Sequence, residues 1–415
     1  MTTGQLKPEI MAPAGSFESL TAALKAGTDS VYFGVEQLNM RARSSNNFTL
    51  DDIVKVVGMC SEKNAKAYLT LNTILYDHDI RLMKAILERA KSDGVAAVIA
   101  SDHAALAWAK QIGMPVHIST QVNITNVETV AFYAAFADVV VLSRELTLAQ
   151  IERIAKEVIR QNIIGPSGKP VRLEVFAHGA LCMAVSGKCY LSLHTHYASA
   201  NRGACVQNCR REYIVTDKEE GFEYAIENEY IMSAKDLCTI DFLDKILNAG
   251  VSILKIEGRA RPADYVYMTT KCYREAVDAI SNGSYTKEKI SEWNRQLSTV
   301  FNRGFWDGYY LGRKMGEWTD AYGSKATERK IFVGKSIRFF DRINVGEFEI
   351  QTNSLRLGDE ILITGPRTGV LRTKVDELRV QGSPVDRVTK GDRFSMPLTE
   401  AVGEGDKLYK IVSQE

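Results

Sequence analysis

Five of the seven cysteines fall between Cys182 and Cys238. Cys182 and Cys189 lie seven apart, Cys205 and Cys209 four apart, and Cys238 follows alone. An odd count at irregular spacing does not read as a disulfide framework. Four thiolates from one loop system can hold a tetrahedral metal or an iron–sulfur cluster. The spacing is neither that of a zinc ribbon, which needs two tight Cys-x-x-Cys knuckles, nor that of a tight ferredoxin run. Redox or catalytic thiols are a second reading, and plain packing of a small apolar side chain is a third. Packing suits Cys60 and Cys272, which sit on predicted helices away from the cluster.

Groups of this kind need a scaffold, and the hydrophobic pattern supplies one. Eight short apolar runs read as strands: Glu9 to Ala12, Ser30 to Phe33, Ala67 to Leu71, Ala97 to Ala100, Val116 to Ser119, Val139 to Leu142, Leu173 to Phe176 and Ile253 to Ile256. Near-continuous Val, Ile, Leu and Phe fit strands buried on both faces of a parallel sheet. Between them, stretches such as Phe17 to Ala26, Leu50 to Lys63, Arg81 to Ser92 and Leu146 to Ile159 repeat apolar residues at helical spacing. The alternation predicts an α/β fold, a (β/α)₈ TIM-like barrel over residues 1–300. A doubly wound sheet is the alternative, but its Gly-rich phosphate fingerprint is missing after the first strand. The cysteines occupy a long insertion, about 179–233, after the seventh strand. An aromatic- and Gly-rich connector spans 301–325. Short strands between turn signals then predict a small C-terminal all-β barrel over 326–415. Its basic and acidic residues nearly balance, so its charge alone does not demand RNA.

Loops after the strands of such barrels converge on one face, where chemistry is done. Asn39, Arg41 and Arg43 follow the second strand, Gln121 and Asn123 the fifth, Arg144 and Glu145 the sixth, His178 the seventh, and Glu257 and Arg259 the eighth. His178 and Glu257 are the candidate catalytic groups. Asn39, Arg41, Arg43, Gln121, Asn123, Arg144 and Arg259 are the candidate substrate-binding groups, since Arg suits bidentate capture of carboxylate or phosphate. If Asn39-Met-Arg-Ala-Arg43 is extended, alternation by two sets both arginines on one side. The competing readings are solvent-facing arginines paired with Glu, and a structural His. His194 and His196 read as loop residues. Tyr190 and Tyr197 read as core or rim packing rather than base-stacking platforms, and Phe301, Phe305 and Trp306 as packing between domains.

With 52 Lys and Arg against 51 Asp and Glu, the chain lacks the strongly basic signature of a nucleic-acid binder. No apolar run is long enough to span a membrane, and the polar start from Met1 to Pro8 has no apolar signal core. The expected setting is a reducing, cytoplasmic one. Neither His-Glu-x-x-His nor Gly-x-Ser-x-Gly occurs.

The segment Glu174-x-Phe-x-x-Gly-Ala-Leu-Cys182, with Cys189-Tyr-Leu-Ser192 after it, resembles the signature of the collagenase-like peptidase family U32. Ile10-Met-Ala-Pro-Ala-Gly-Ser16, Val31-Tyr-Phe-Gly34, Asn39-Met-Arg-Ala-Arg43 and Lys255-Ile-Glu-Gly-Arg259 extend the likeness across the barrel. The resemblance implies a hydroxylase of the tRNA 5-hydroxyuridine type, acting on the wobble uridine of the anticodon. It also implies a [4Fe–4S] cluster and prephenate as hydroxyl donor. Carried over residue by residue, the cluster ligands would be Cys182, Cys189, Cys205 and Cys238, with Cys209 as a surplus thiol that competes for the fourth place. A U32-type peptidase and a non-enzymatic RNA-binding protein are the alternatives, and a partner protein or homo-oligomer is left open.

Overall fold

Seven parallel strands run in sequence: β1 (Glu9–Pro13), β2 (Ser30–Phe33), β3 (Lys66–Leu71), β4 (Ala97–Ala100), β5 (Val116–Ile118), β6 (Val139–Val141) and β7 (Arg172–Ala180). The insertion carries β8 (Val215–Thr216), β9 (Glu223–Tyr224) and β10 (Asp236–Cys238), after which β11 (Ile253–Ile256) closes the barrel by pairing with both β7 and β1. The computed structural model describes residues 7–43, 47–221, 223–224, 232–312, 317–321 and 323–414. Most of the polar start, the last part of the insertion and part of the connector lie outside the described residues.

The eight predicted barrel strands are therefore present, joined by α1 (Phe17–Lys25), α2 (Ile53–Glu62), α3 (Ile80–Ser92), α4 (His103–Ile112), α5 (Val127–Ala134) and α6 (Leu148–Arg160). After β7 come α7 (Leu191–His196), α8 (Leu243–Asn248), α9 (Ala263–Ser281) and α10 (Lys287–Ser298). Every residue of β1, β2, β4, β5 and β6 is buried, as two-sided coverage of a parallel sheet requires. Each Val, Ile or Leu so buried stabilises the fold by about 1.5–3 kcal/mol. Helix starts follow local rules: Ser16 caps α1 reciprocally with Ser19, and Thr147 caps α6 reciprocally with Gln150. The Ala-Pro-Ala-Gly-Ser16 motif is thus the end of a strand plus a helix cap.

The barrel interior is not wholly apolar. Met11, Tyr32, Tyr68, Ile99, Val139 and Ile253 pack there, alongside two ionic groups. The Lys255 ammonium bonds Glu174 at 2.7 Å, and His117 lies 3.4 Å from the same carboxylate. Glu9 accepts from Tyr68 at 2.7 Å and from Arg172 at 3.1 Å. Burial pushes the Glu9 carboxyl up, but these partners and Lys66 outweigh it and hold it at about 2.

Two elements escape the hydrophobic pattern. β10 pairs antiparallel with the end of β7, setting Cys238 opposite His178, and β12 (Phe305–Trp306) pairs with β10. The connector aromatics therefore pack on the barrel: Phe305 stands 5.6 Å from the His178 ring, and Phe301 lies under Arg261. Two residues of pairing stitch Phe305 and Trp306 to the barrel sheet rather than to an interdomain seam, whereas Phe301 also lines a cleft with Val370 and Leu371 of the C-terminal domain, as the sequence reading expects.

The C-terminal region is antiparallel throughout, with β13 (Glu328–Phe340), β14 (Val345–Ile350), β15 (Ser354–Arg356), β16 (Glu360–Gly365), β17 (Gly369–Lys374), β18 (Arg379–Val380), β19 (Ser383–Pro384), β20 (Arg387–Thr389), β21 (Arg393–Pro397) and β22 (Lys407–Ser413). Eight of these form one sheet in the order β17-β16-β22-β13-β14-β21-β18-β19, and β15 pairs with β20. It buries its own core, centred on Val333, Phe348, Ile361, Phe394 and Leu408. The domain docks on the barrel through Ala22, Ala263, Leu362 and Val370. Thr21 Oγ1 donates to the Pro366 carbonyl at 2.7 Å and Lys25 Nζ to the Val370 carbonyl at 2.8 Å, which fixes the contact.

Candidate functional site

A cavity of about 460 Å³ opens at the C-terminal ends of the barrel strands and is walled on one side by the insertion. Side chains that follow different strands meet in it: Asn72 after β3, Gln121 after β5, Arg144 after β6, and Glu257 and Arg259 after β11. The insertion is clamped in place by several bonds. Arg202 Nη1 reaches Asp79 at 2.7 Å, Arg144 Nη2 reaches Ser186 at 3.3 Å, and Asn123 Nδ2 bonds the Ser186 carbonyl at 3.2 Å. The Gly203 carbonyl accepts from the Arg43 amide at 3.2 Å. Gly203 has φ +81, and a Cβ there would sit 2.3 Å from the Asn39 carbonyl oxygen, so only glycine lets these two loops touch.

Charge in the cavity is concentrated in arginines. Arg41 Nη2 pairs with Glu257 Oε1 at 2.8 Å, and Tyr32 donates to Glu257 Oε2 at 3.2 Å. Burial pushes the Glu257 carboxyl up, yet the guanidinium groups of Arg41, Arg144 and Arg259 prevail and hold it at about 2. Arg259 is buried and donates to Thr70 Oγ1 at 2.8 Å; burial lowers it to about 10. Gly34 of the Tyr-Phe-Gly motif makes room for it, because a Cβ there would lie 2.2 Å from Arg259 Nη1. Arg261 and Arg303 also line the cavity and flank the buried Asp236 at 3.9 and 3.5 Å. Lys255 forms its floor. Arg144 stacks on Phe176 with 4.4 Å to the ring centroid.

Four thiols face the same cavity: Cys182, Cys189, Cys205 and Cys209. Burial raises the Cys209 thiol; Arg210 opposes that, and Cys182, Cys205 and Cys189 add to it. Cys182, Arg41 and Glu257 line this same cavity, so the thiol wall and the Arg41–Glu257 pair are neighbours. Cys238 is elsewhere. It is buried in β10 beside Tyr273, whose hydroxyl lies 3.9 Å from Sγ, and burial pushes its thiol up to about 12. The fourth cysteine that lines the cavity is thus Cys209, whereas Cys238, the expected fourth ligand, lies outside that lining. Pairing with β7 turns the Cys238 side chain into the core.

Among the described residues no three His, Cys, Asp or Glu groups converge closely enough to hold a single metal ion. Cys182, Cys189, Cys205 and Cys209 line one cavity, and four thiolates are a donor set that an iron–sulfur cluster takes.

Other expectations also change. His178 is buried among Tyr265, Tyr273 and Phe305 and is not a cavity-lining residue; burial, with help from Arg261, lowers it to about 3. It is a neutral packing residue in the wall. Asn39 is buried with its Oδ1 accepting from the Arg41 amide at 2.9 Å, so it shapes the turn rather than touching a ligand. Because residues 40–43 turn instead of extending, Arg41 and Arg43 point to different places: only Arg41 lines this cavity. Asn123 has φ +58 and ties the β5 loop to the insertion, while Gln121 lines the cavity with a buried Oε1 that lacks a hydrogen-bond partner among the described residues. Tyr190 and Tyr197 are not packed, being 76% and 94% exposed, and of the two only Tyr190 lines the cavity. Sequence reading missed Arg210, Arg261, Arg303 and Lys255. Lys255 and Arg261 left a signal, the first opening the Lys-Ile-Glu-Gly-Arg259 motif and the second standing two residues beyond it.

Comparison with known proteins follows the same outline. The family model of peptidase family U32 matches residues 15–320. A protein of Porphyromonas gingivalis named collagenase is 58% identical over 407 residues, covering 98% of each chain. A protein of Helicobacter pylori named tRNA hydroxylation protein P is 32% identical over 316 residues, covering 74% of this chain and 72% of that one. The tRNA hydroxylation protein P1 of Bacillus subtilis is 29% identical over 368 residues, covering 87% of this chain and 84% of that protein.

Proposed function

The chain belongs to peptidase family U32, and on that premise we propose that it is a tRNA hydroxylase that adds a hydroxyl to C5 of the wobble uridine, with prephenate as donor. The observation that carries this reading is the meeting of four thiols and an arginine-rich cavity at the C-terminal face of the barrel. Cys182, Cys189, Cys205 and Cys209 would hold a [4Fe–4S] cluster, which when bound supplies one-electron redox chemistry beside the substrate. Arg144, Arg261 and Arg303 offer charge-assisted contacts to the two carboxylates of prephenate. The Arg41–Glu257 pair stays ionised throughout the neutral range, so it orients and does not shuttle protons. A single-stranded loop base can reach such a recess, and exposed Tyr190 at its rim offers a stacking face. The names of the Helicobacter and Bacillus relatives support tRNA as substrate.

The Porphyromonas relative's name favours a second reading, peptide hydrolysis. The cavity lining is poorly equipped for it: among the described residues it holds no His, and its one carboxylate is Glu257, held at about 2. A general base must take a proton near the working pH. Nucleoside mass spectrometry of tRNA from cells lacking the gene separates the readings. Loss of 5-hydroxyuridine and its derivatives is expected. Unchanged tRNA nucleosides, together with collagen-peptide cleavage by the purified protein, would reverse the choice.

A further inference from the structure

A second recess, of about 570 Å³, lies where the barrel meets the C-terminal domain. Its lining is strongly one-sided in charge: Arg43, Arg259, Arg261, Lys330 and Lys407 against the single carboxylate of Glu18. Two of the cations are already partnered. Lys330 pairs with Asp264 at 2.7 Å, and Arg261 rests on Phe301 with Asp236 at 3.9 Å. Arg43 and Lys407 have no ion pair among the described residues, and both are exposed.

The recess is built by both domains. Lys330 and Lys407 come from β13 and β22, and Arg43, Arg259 and Arg261 come from the barrel loops. It also adjoins the main cavity, because Arg259, Ala260 and Arg261 line both. The turn at residues 40–43 divides the two arginines between them, Arg41 to the cavity and Arg43 to the recess.

A nucleotide whose base enters the cavity leaves its sugar–phosphate backbone outside. We propose that this junction recess binds a backbone phosphodiester flanking the base held in the cavity, with Arg43 and Lys407 as its direct contacts. The inference rests on the tRNA reading and adds to it a specific place and a reason for the fused domain. Uncompensated cations at a concave polar surface favour an anion. A site shared by two domains favours one that continues into the neighbouring cavity, as a strand does and a free anion does not.

The test uses full-length, iron-loaded protein and measures tRNA affinity against salt. Each phosphate contact contributes about 0.7 to the slope of log affinity against log salt for a single strand. With one phosphodiester in the recess, the Arg43→Ala, Lys407→Ala double variant should lower that slope by about 0.7, and each single variant should lower it measurably but by no more than that. Lys407→Glu should weaken binding more than Lys407→Ala, and iron content should stay unchanged in all. Lys156→Ala, an exposed α6 cation paired with Glu152 at 2.6 Å, serves as control and should leave the slope unchanged. If the unaltered protein binds tRNA and every variant keeps its slope, the recess assignment fails while the hydroxylase reading stands. If slopes hold but half-saturating prephenate rises, the recess binds a small carboxylate and the phosphodiester assignment is overturned. If the unaltered protein shows no salt-dependent tRNA affinity, both readings fall together.

Discussion

Two cysteines that compete for one place have different surroundings. Cys209 faces the cavity with Cys182, Cys189 and Cys205, whereas Cys238 is buried against Tyr273 with its thiol raised to about 12. A ligand must be deprotonated, which a dry apolar wall opposes. Cys209→Ala and Cys182→Ala should therefore lose most bound iron after anaerobic preparation, while Cys238→Ala keeps it. Iron and sulfide analysis decides, and retention in Cys209→Ala with loss in Cys238→Ala would restore the sequence-based assignment. His178 makes a second residue-scale prediction. Its folded value is about 3, mainly through burial, against an ordinary 6.5. The unfolded chain thus binds the extra proton first, so stability falls as pH drops below about 6.5 and goes on falling toward 3. Between pH 7 and 5 this one group accounts for about 2 kcal/mol. Urea unfolding of His178→Gln should show a correspondingly shallower acid loss, and an identical pH profile would mean that His178 is solvated in the native protein.

At the scale of elements, the eight barrel strands were legible because parallel strands buried on both faces are continuous apolar runs. β10 and β12 were not, since three and two residues carry no period and one of them is the buried Asp236. That omission hid where Cys238 lies, because a strand pairing, not a spacing, decides which way its thiol points. The Arg41 and Arg43 expectation failed for a related reason. Alternation holds only in extended chain, and Asn39 bends this segment by bonding the Arg41 amide. Arg303 and Arg210 were invisible because the connector and the insertion bring them to the cavity from afar in sequence. The insertion itself depends on close contact at Gly203. Gly203→Ala would force a left-handed φ on a side-chain-bearing residue and press Cβ on the Asn39 carbonyl, costing about 1–2 kcal/mol before the clash. The loop should shift and iron occupancy fall, while far-UV circular dichroism and the melting of the barrel stay close to those of the unaltered protein. Full iron occupancy would show that the loop adapts without moving its thiols.

For the whole molecule, the decisive feature is how narrow the join between two separate cores is. The barrel and the C-terminal domain each bury their own apolar cluster, and Ala22, Ala263, Leu362 and Val370 are the small patch between them. Gly369 is part of this fit, as a Cβ there would stand 2.9 Å from the Ala22 amide nitrogen. Cleaving off residues 326–415 would expose that patch and leave Lys25 without Glu400 and the Val370 carbonyl, confounding lost binding with lost solubility. Substituting Val370→Asp is the cleaner probe. A charge in an apolar contact between packed domains is expensive unless the contact opens. The two apolar cores are separate clusters, so opening the contact leaves each one intact. Calorimetry should then resolve two transitions, against a single coupled transition expected for the unaltered protein. Iron content should not change, since the four thiols lie wholly within the barrel and its insertion. tRNA affinity should fall, because the junction recess exists only while the domains are docked. Two transitions with undiminished tRNA affinity would mean that the barrel mouth alone holds the nucleic acid and that the C-terminal domain serves another end.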